Sequence, residues 1–190
     1  MKFILLSILI ACAIGYARGG RLHNLVESRL RASWLIVVGL AMQVAPIPHS
    51  IEKVAVPLLL VSFVFLLWFA VLNIRAAGFV LIVVGIVLNF TVIAANRGMP
   101  VSRSALVSSG QLSTLKALRD GGVKHHLAGP GDVLLPLADE ISLGDVVGQV
   151  VSVGDLFTYG GVMLFVSGSM VFGRKRRRDP PLPMAVEGAA

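Results

Sequence analysis

Three acids offer the first chemistry in this sequence. Asp139, Asp145 and Asp155 lie within seventeen residues of one another, and the last opens a long apolar run. Two carboxyl groups held close together resist ionising at the same time, so such a pair shares a proton and can activate water. Asp139 and Asp155 are the candidate catalytic dyad. A second constellation is His125-His126, followed by Asp132, Asp139 and Glu140, a donor set that suits a metal ion. Adjacent histidines point to different sides of any regular element, and neither HxH nor HxxxH spacing occurs. The pair therefore reads as solvated or hydrogen-bonded, and neither metal nor cofactor is expected.

The acids also belong to a repeat. Ser142-Leu-Gly-Asp145 returns ten residues later as Ser152-Val-Gly-Asp155. A serine followed three positions on by an acid is a capping box, in which the hydroxyl accepts from the third amide and the acid reaches back to the serine amide. Ser142 with Asp145, and Ser152 with Asp155, are accordingly expected to cap helix starts. The first would begin a short helix from Leu143 to about Val150, and the second would begin the last apolar segment. A helix entering hydrocarbon has no water for its first amides, so a cap matters more there.

The elements that must position these groups follow from composition. The chain has 190 residues, 56% hydrophobic and 14% charged, with mean hydropathy +0.85. A soluble domain is nearer half apolar and a quarter charged. The excess is segmental, over about 3–17, 33–45, 54–72, 76–95 and 153–172. The sequence thus predicts an all-α integral membrane bundle of about five transmembrane helices, a single domain over 1–172. The first two segments fall short of the roughly twenty residues a bilayer requires.

Basic residues set the orientation. With the amino terminus outside, the inner pieces carry ten Lys and Arg in 36 residues, and the outer pieces seven in 67. The positive-inside rule then places the carboxyl terminus in the cytoplasm. Trp34, Trp68 and Tyr16 fall near the inner span ends, where amphipathic rings lie. Arg174, Lys175, Arg176, Arg177 and Arg178 follow the last segment and suit anionic lipid headgroups. The net charge of +7 is concentrated in such clusters with no aromatic platform, so nucleic acid is not an expected partner. Residues 173–190 read as a disordered tail. Cys12 is the one cysteine, which excludes an internal disulfide. It sits in a lipoprotein-like Leu9-Ile-Ala-Cys12, but the apolar run continues past it and the basic cluster follows the segment, the wrong polarity for a cleaved signal.

The outer connection, 96–152, is an ordered loop of 57 residues, too small for a generous core of its own. Ser113 to Asp120, stopped by Gly121-Gly122, reads as a short helix capped by Ser113. Asp132 to Glu140 has no period and reads as irregular. Within the spans, polar residues are few; Asn89 and Thr91 are expected to hydrogen-bond between helices. No ionisable group falls in mid-membrane, which weighs against a proton-coupled transporter.

Two resemblances bear on function. An Asp before the last span and another at its start is a layout similar to that of the membrane lipoprotein signal peptidases, although their Asn-x-x-Asp-Arg element is missing. Arg18-Gly-Gly-Arg-Leu22, Ala95-Asn-Arg-Gly-Met-Pro-Val-Ser102, and Lys124-His-His with Leu137-Ala-Asp-Glu-Ile141 and Val151-Ser-Val-Gly-Asp155 together resemble a family of small bacterial integral membrane proteins of unknown function, over about residues 1–172. That resemblance implies the bacterial plasma membrane and no particular reaction. It marks Asp139 and Asp155 as the matching acids and leaves Asp145 in an added segment. The expected role is a non-catalytic accessory or interaction protein in the lipid bilayer, with an unidentified membrane protein as a possible partner. The alternatives are a small transporter or ligand-binding protein, and an aspartyl-dyad hydrolase using Asp139 and Asp155.

Overall fold

In the computed structural model, residues 2–178 are described, apart from Glu27, Arg29 and Pro48. The chain is mostly helical. Its long helices are α1 (Lys2–Ala17), α3 (Trp34–Val44), α4 (Ala55–Leu72), α5 (Phe79–Asn96) and α9 (Val153–Arg178), with a one-turn α2 (Leu22–Val26) between the first two. Each forms where the apolar runs lie, and Pro57 is tolerated in α4 because first-turn amides have no intrahelical acceptor. Among the described residues, two helices are long and apolar enough to cross a membrane: Ile51–Leu72, which includes the turn before α4, and Phe79–Asn96. The α1 and α3 helices are apolar but shorter.

These helices pack side by side in the order α1, α9, α5, α4, α3. One cluster joins α3, α4 and α5 through Leu35, Phe69, Ala70, Phe79 and Ile86. Phe79 stands edge-on to Phe69 and to Phe165, carrying the contact across to α9. A second cluster joins α1 to α9 through Ala11, Val166 and Met170. At the end of the row where α1 finishes, the Arg21 amide and the Asn24 side chain both donate to the Met170 carbonyl, at 3.0 and 2.7 Å. Asn73 accepts from the Arg31 amide and donates to the Arg31 and Phe69 carbonyls, tying the chain before α3 to the end of α4.

The opposite end is covered by a lobe built from 97–152. It holds β1 (Met99–Val101), α6 (Arg103–Ser108), α7 (Leu112–Arg119), β2 (His125–Leu127), β3 (Ile141–Ser142), α8 (Gly144–Val147) and β4 (Val150–Val151). The strands correct the all-α expectation. β1 and β2 run parallel, Met99 opposite His125 and Val101 opposite Leu127, and β3 pairs antiparallel with β4. Val101, Ala105, Leu106, Leu115 and Val150 form the lobe's own small core.

Two further expectations change. The α7 helix is capped two residues early, with Gln111 at its cap position and no side-chain cap bond, so Ser113 lies inside the first turn. The α9 helix runs on to Arg178 instead of ending at 172, which makes 173–178 helical. The contacts expected of the Arg174 to Arg178 side chains, and the tail from 179, lie outside the described residues.

Candidate functional site

The lobe meets the helix row at the start of α9, and the SVGD residues form the junction. Ser152 Oγ accepts from the Asp155 amide at 3.0 Å, while the Ser152 amide points to Asp155 Oδ2 at a long 3.4 Å. This is the reciprocal geometry of a capping box, and the negative end lies at the positive end of the helix dipole. The ring is closed from the neighbouring helix. Asn89 Nδ2 of α5 donates to Asp155 Oδ1 at 2.8 Å, and Ser152 Oγ donates to Asn89 Oδ1, also at 2.8 Å. The buried amide of Asn89 is thereby engaged on both sides.

That ring is possible because two glycines let the helices touch. A Cβ on Gly154 would fall against the Asn89 side chain and the Gly85 carbonyl; one on Gly85 would fall against the Gly154 carbonyl and Thr158. Gly78 and Gly161 repeat the arrangement two turns away. The pairs are seven residues apart on each helix, so the same face is used twice.

The first copy of the repeat behaves differently. Ser142 and Asp145 do not cap a helix. Ser142 lies in β3 and its Oγ accepts from the Gly144 amide at 3.2 Å, a local turn two residues long. Asp145 is exposed, and the cap position of the four-residue α8 is Leu143, with no side-chain bond. The physical reason is strand pairing. β3 must return as β4 within seven residues, and Gly144 and Gly148 supply the left-handed turns, at φ +74° and +62°.

Asp139 is held by its backbone. Its amide donates to the Pro100 carbonyl at 3.1 Å, and its carbonyl accepts from the Ser102 amide at 2.9 Å, so it lies along the free edge of β1 opposite β2. Its carboxyl group is partly buried and meets no hydrogen-bond donor among the described residues. Desolvation, reinforced by the charge of Asp155, pushes its pKa up to about 8. Asp139 lines a cleft of about 390 Å³ in the lobe. Val101, Leu106, Leu118 and Val150 form apolar walls, and Gln111, Thr114, His125 and Gln149 supply polar groups. Gln149 also accepts from the Phe3 amide at 3.0 Å, which fastens the cleft floor to the start of α1.

The candidate metal ligands separate. His126 Nε2 pairs with Asp132 Oδ1 at 2.9 Å, and Asp132 Oδ2 accepts from the Gly129 amide at 2.8 Å, locking the Gly-Pro-Gly turn. Residual desolvation opposes the Asp132 carboxylate, but the His126 and Gly129 hydrogen bonds outweigh it and hold its pKa down. His125 faces the cleft instead. Among the described residues, no group of three His, Cys, Asp or Glu is placed to hold a metal ion.

A residue without an assigned role in the sequence fixes the lobe's height. Lys124 Nζ donates to the Gln43 carbonyl at 2.6 Å and to that of Ala45 at 3.4 Å. It satisfies the last carbonyls of α3 with a cation where the helix dipole favours one. The sequence signal was the lone Lys before the histidines, and its partner lies about eighty residues away.

Residues 27–167 match DUF5317, a family of unknown function. The chain belongs to this family. No curated protein and no solved structure matches it. The DUF5317 region holds Lys124, Asp139, Asn89 and the cap of α9, together with α3, α4 and α5, and leaves out Phe3. The α1 helix precedes it, so the family region is narrower than the 1–172 expected from the motifs.

Proposed function

We propose that this DUF5317 protein is a multi-pass membrane protein of about five spans, with an outer ligand-binding cleft and no catalytic step of its own. The membrane part rests on exposure. Residues such as Val61, Val64, Trp68, Val71, Val80 and Val87 are exposed along α4 and α5, which suits lipid and would be costly in water. Tyr16, Trp34 and Trp68 are exposed as an interfacial belt requires. The short α1 and α3 fit a lobe that sits down onto the bilayer, since Lys124 replaces water at the end of α3. The Lys and Arg count favours amino terminus out and carboxyl terminus in, in a bacterial plasma membrane, with Arg174 to Arg178 against anionic lipids.

One observation carries the binding reading: Asp139 lines a half-apolar cleft with its carboxyl unpaired. The volume is at the lower end of small-molecule pockets, and convergent polar groups among apolar walls are what such pockets use. An accessory role for a partner protein fits the same architecture. A transporter is less well supported, because the Asn89 amide is engaged by Asp155 and Ser152 at the cap of α9. An aspartyl hydrolase is favoured by the nearness of Asp155 to Asp139, but both oxygens of Asp155 are occupied as a cap.

The test is a thermal-shift screen of the detergent-solubilised full chain against small molecules, run beside Leu118→Trp, which fills the cleft. Compounds that raise the wild-type midpoint and leave Leu118→Trp unmoved support the reading. Equal shifts in both proteins, or none in either, sink it. Peptide hydrolysis that is lost in both Asp139→Asn and Asp155→Asn would favour the dyad instead.

A further inference from the structure

We propose that the cleft takes a small organic cation, an amine or guanidinium on a compact apolar body, whose charge pairs with the Asp139 carboxylate. This rests on the binding reading above and adds the ligand class. Three features of the cleft point the same way. Its lining combines apolar residues (Val101, Leu106, Leu118, Val150) with polar ones that include a single acid. That acid has its backbone fixed by Pro100 and Ser102, so its place in the cleft wall is set by the strand pairing. Among the described residues no cation faces it. Lys124, next to His125 in the chain, is committed to the end of α3.

The groups around Asp139 set the sign of the effect. Asp155, from α9, is the charge that bears on it. Tyr159 stands on the next turn of α9, and its ring is packed edge-on against Phe3 of α1. His125, from β2, reaches solvent on one side. Desolvation, followed by the charges of Lys124 and His126, lowers its pKa, so it adds no positive charge near neutrality. A carboxyl beside another acid, with neutral neighbours, keeps its proton. A bound cation supplies the missing counter-charge and releases that proton. Burial weakens screening inside the cleft, so the pairing is stronger there than on an open surface. By linkage, the same cation binds more tightly as pH rises toward the point where Asp139 ionises unaided.

The experiment uses the full chain in detergent, with benzylamine, benzyl alcohol and benzoate as probes of one shape and three charges. Benzylamine is expected to bind, and benzoate and benzyl alcohol at least tenfold more weakly. Benzylamine affinity is expected to rise nearly tenfold from pH 6 to pH 7 and to level off above pH 8. Asp139→Asn, which keeps the shape and removes the charge, should lose tenfold or more of it. Benzyl alcohol binding as well as benzylamine, with both lost in Leu118→Trp, would overturn the cation class and leave the cleft as a neutral-ligand site. Benzylamine binding that is unchanged in Asp139→Asn overturns the proposal. So does the absence of binding by any probe, and if the wider screen is also empty the binding reading falls with it.

Discussion

Asp139 and Asp155 are of one residue type, sixteen positions apart, and the fold gives them opposite circumstances. Asp155 accepts from Asn89 and from the Ser152 amide, whereas Asp139 has only its backbone secured. The consequence for stability can be signed. In the unfolded chain Asp139 ionises near its ordinary value of about 4. In the folded chain it holds its proton up to about 8. Between those values the unfolded state binds fewer protons, so rising pH favours unfolding. Stability is expected to fall from about pH 4 to about pH 8 and then flatten as far as this group is concerned. Asp139→Asn should remove that slope, as thermal midpoints measured across the range will show. The SVGD cap was legible because a capping box is local, with donor and acceptor three residues apart. The identical SLGD was misleading because strand pairing decides its geometry, and Ile141 opposite Val151 is not written in either tetrapeptide. Asn89 was legible as a polar side chain in an apolar run, though its partners were not.

At the scale of elements, α5 and α9 meet through glycine. Substituting Gly154 by Val forces a side chain toward Asn89 and the Gly85 carbonyl, which displaces the helices and opens the ring around Asp155. Overpacking of this kind costs about 1–3 kcal/mol, and loss of the cap adds about 1 kcal/mol. Gly160→Ala, where the nearest neighbour is a Leu81 methyl at 4.0 Å, is the control and should change little. Unfolding in mixed detergent micelles would measure both. Helices were readable because apolar length survives in composition. The strands were not, since two or three residues leave no alternation to detect. The lobe's attachments were hidden for a different reason: Lys124 to Gln43 and Gln149 to Phe3 join residues 81 and 146 apart. Nothing local encodes such a pairing.

The whole molecule is a row of helices with one end covered. If the covered end faces outward, Val146, 94% exposed at the tip of the turn between β3 and β4, is reachable from outside. In a Cys12→Ser background, Val146→Cys is expected to react with a membrane-impermeant maleimide on intact cells. Labelling seen only after the membrane is opened would reverse the orientation. The order of the row has a consequence for synthesis. Among the described helices α1 is made before the others and α9 after them, yet the two are neighbours, packed through Ala11, Val166 and Met170. At usual rates of elongation the ribosome needs on the order of ten seconds to make the intervening chain. During that wait the nascent first helix has no companion, so it needs an insertase or surrounding lipid to hold it until the final segment arrives.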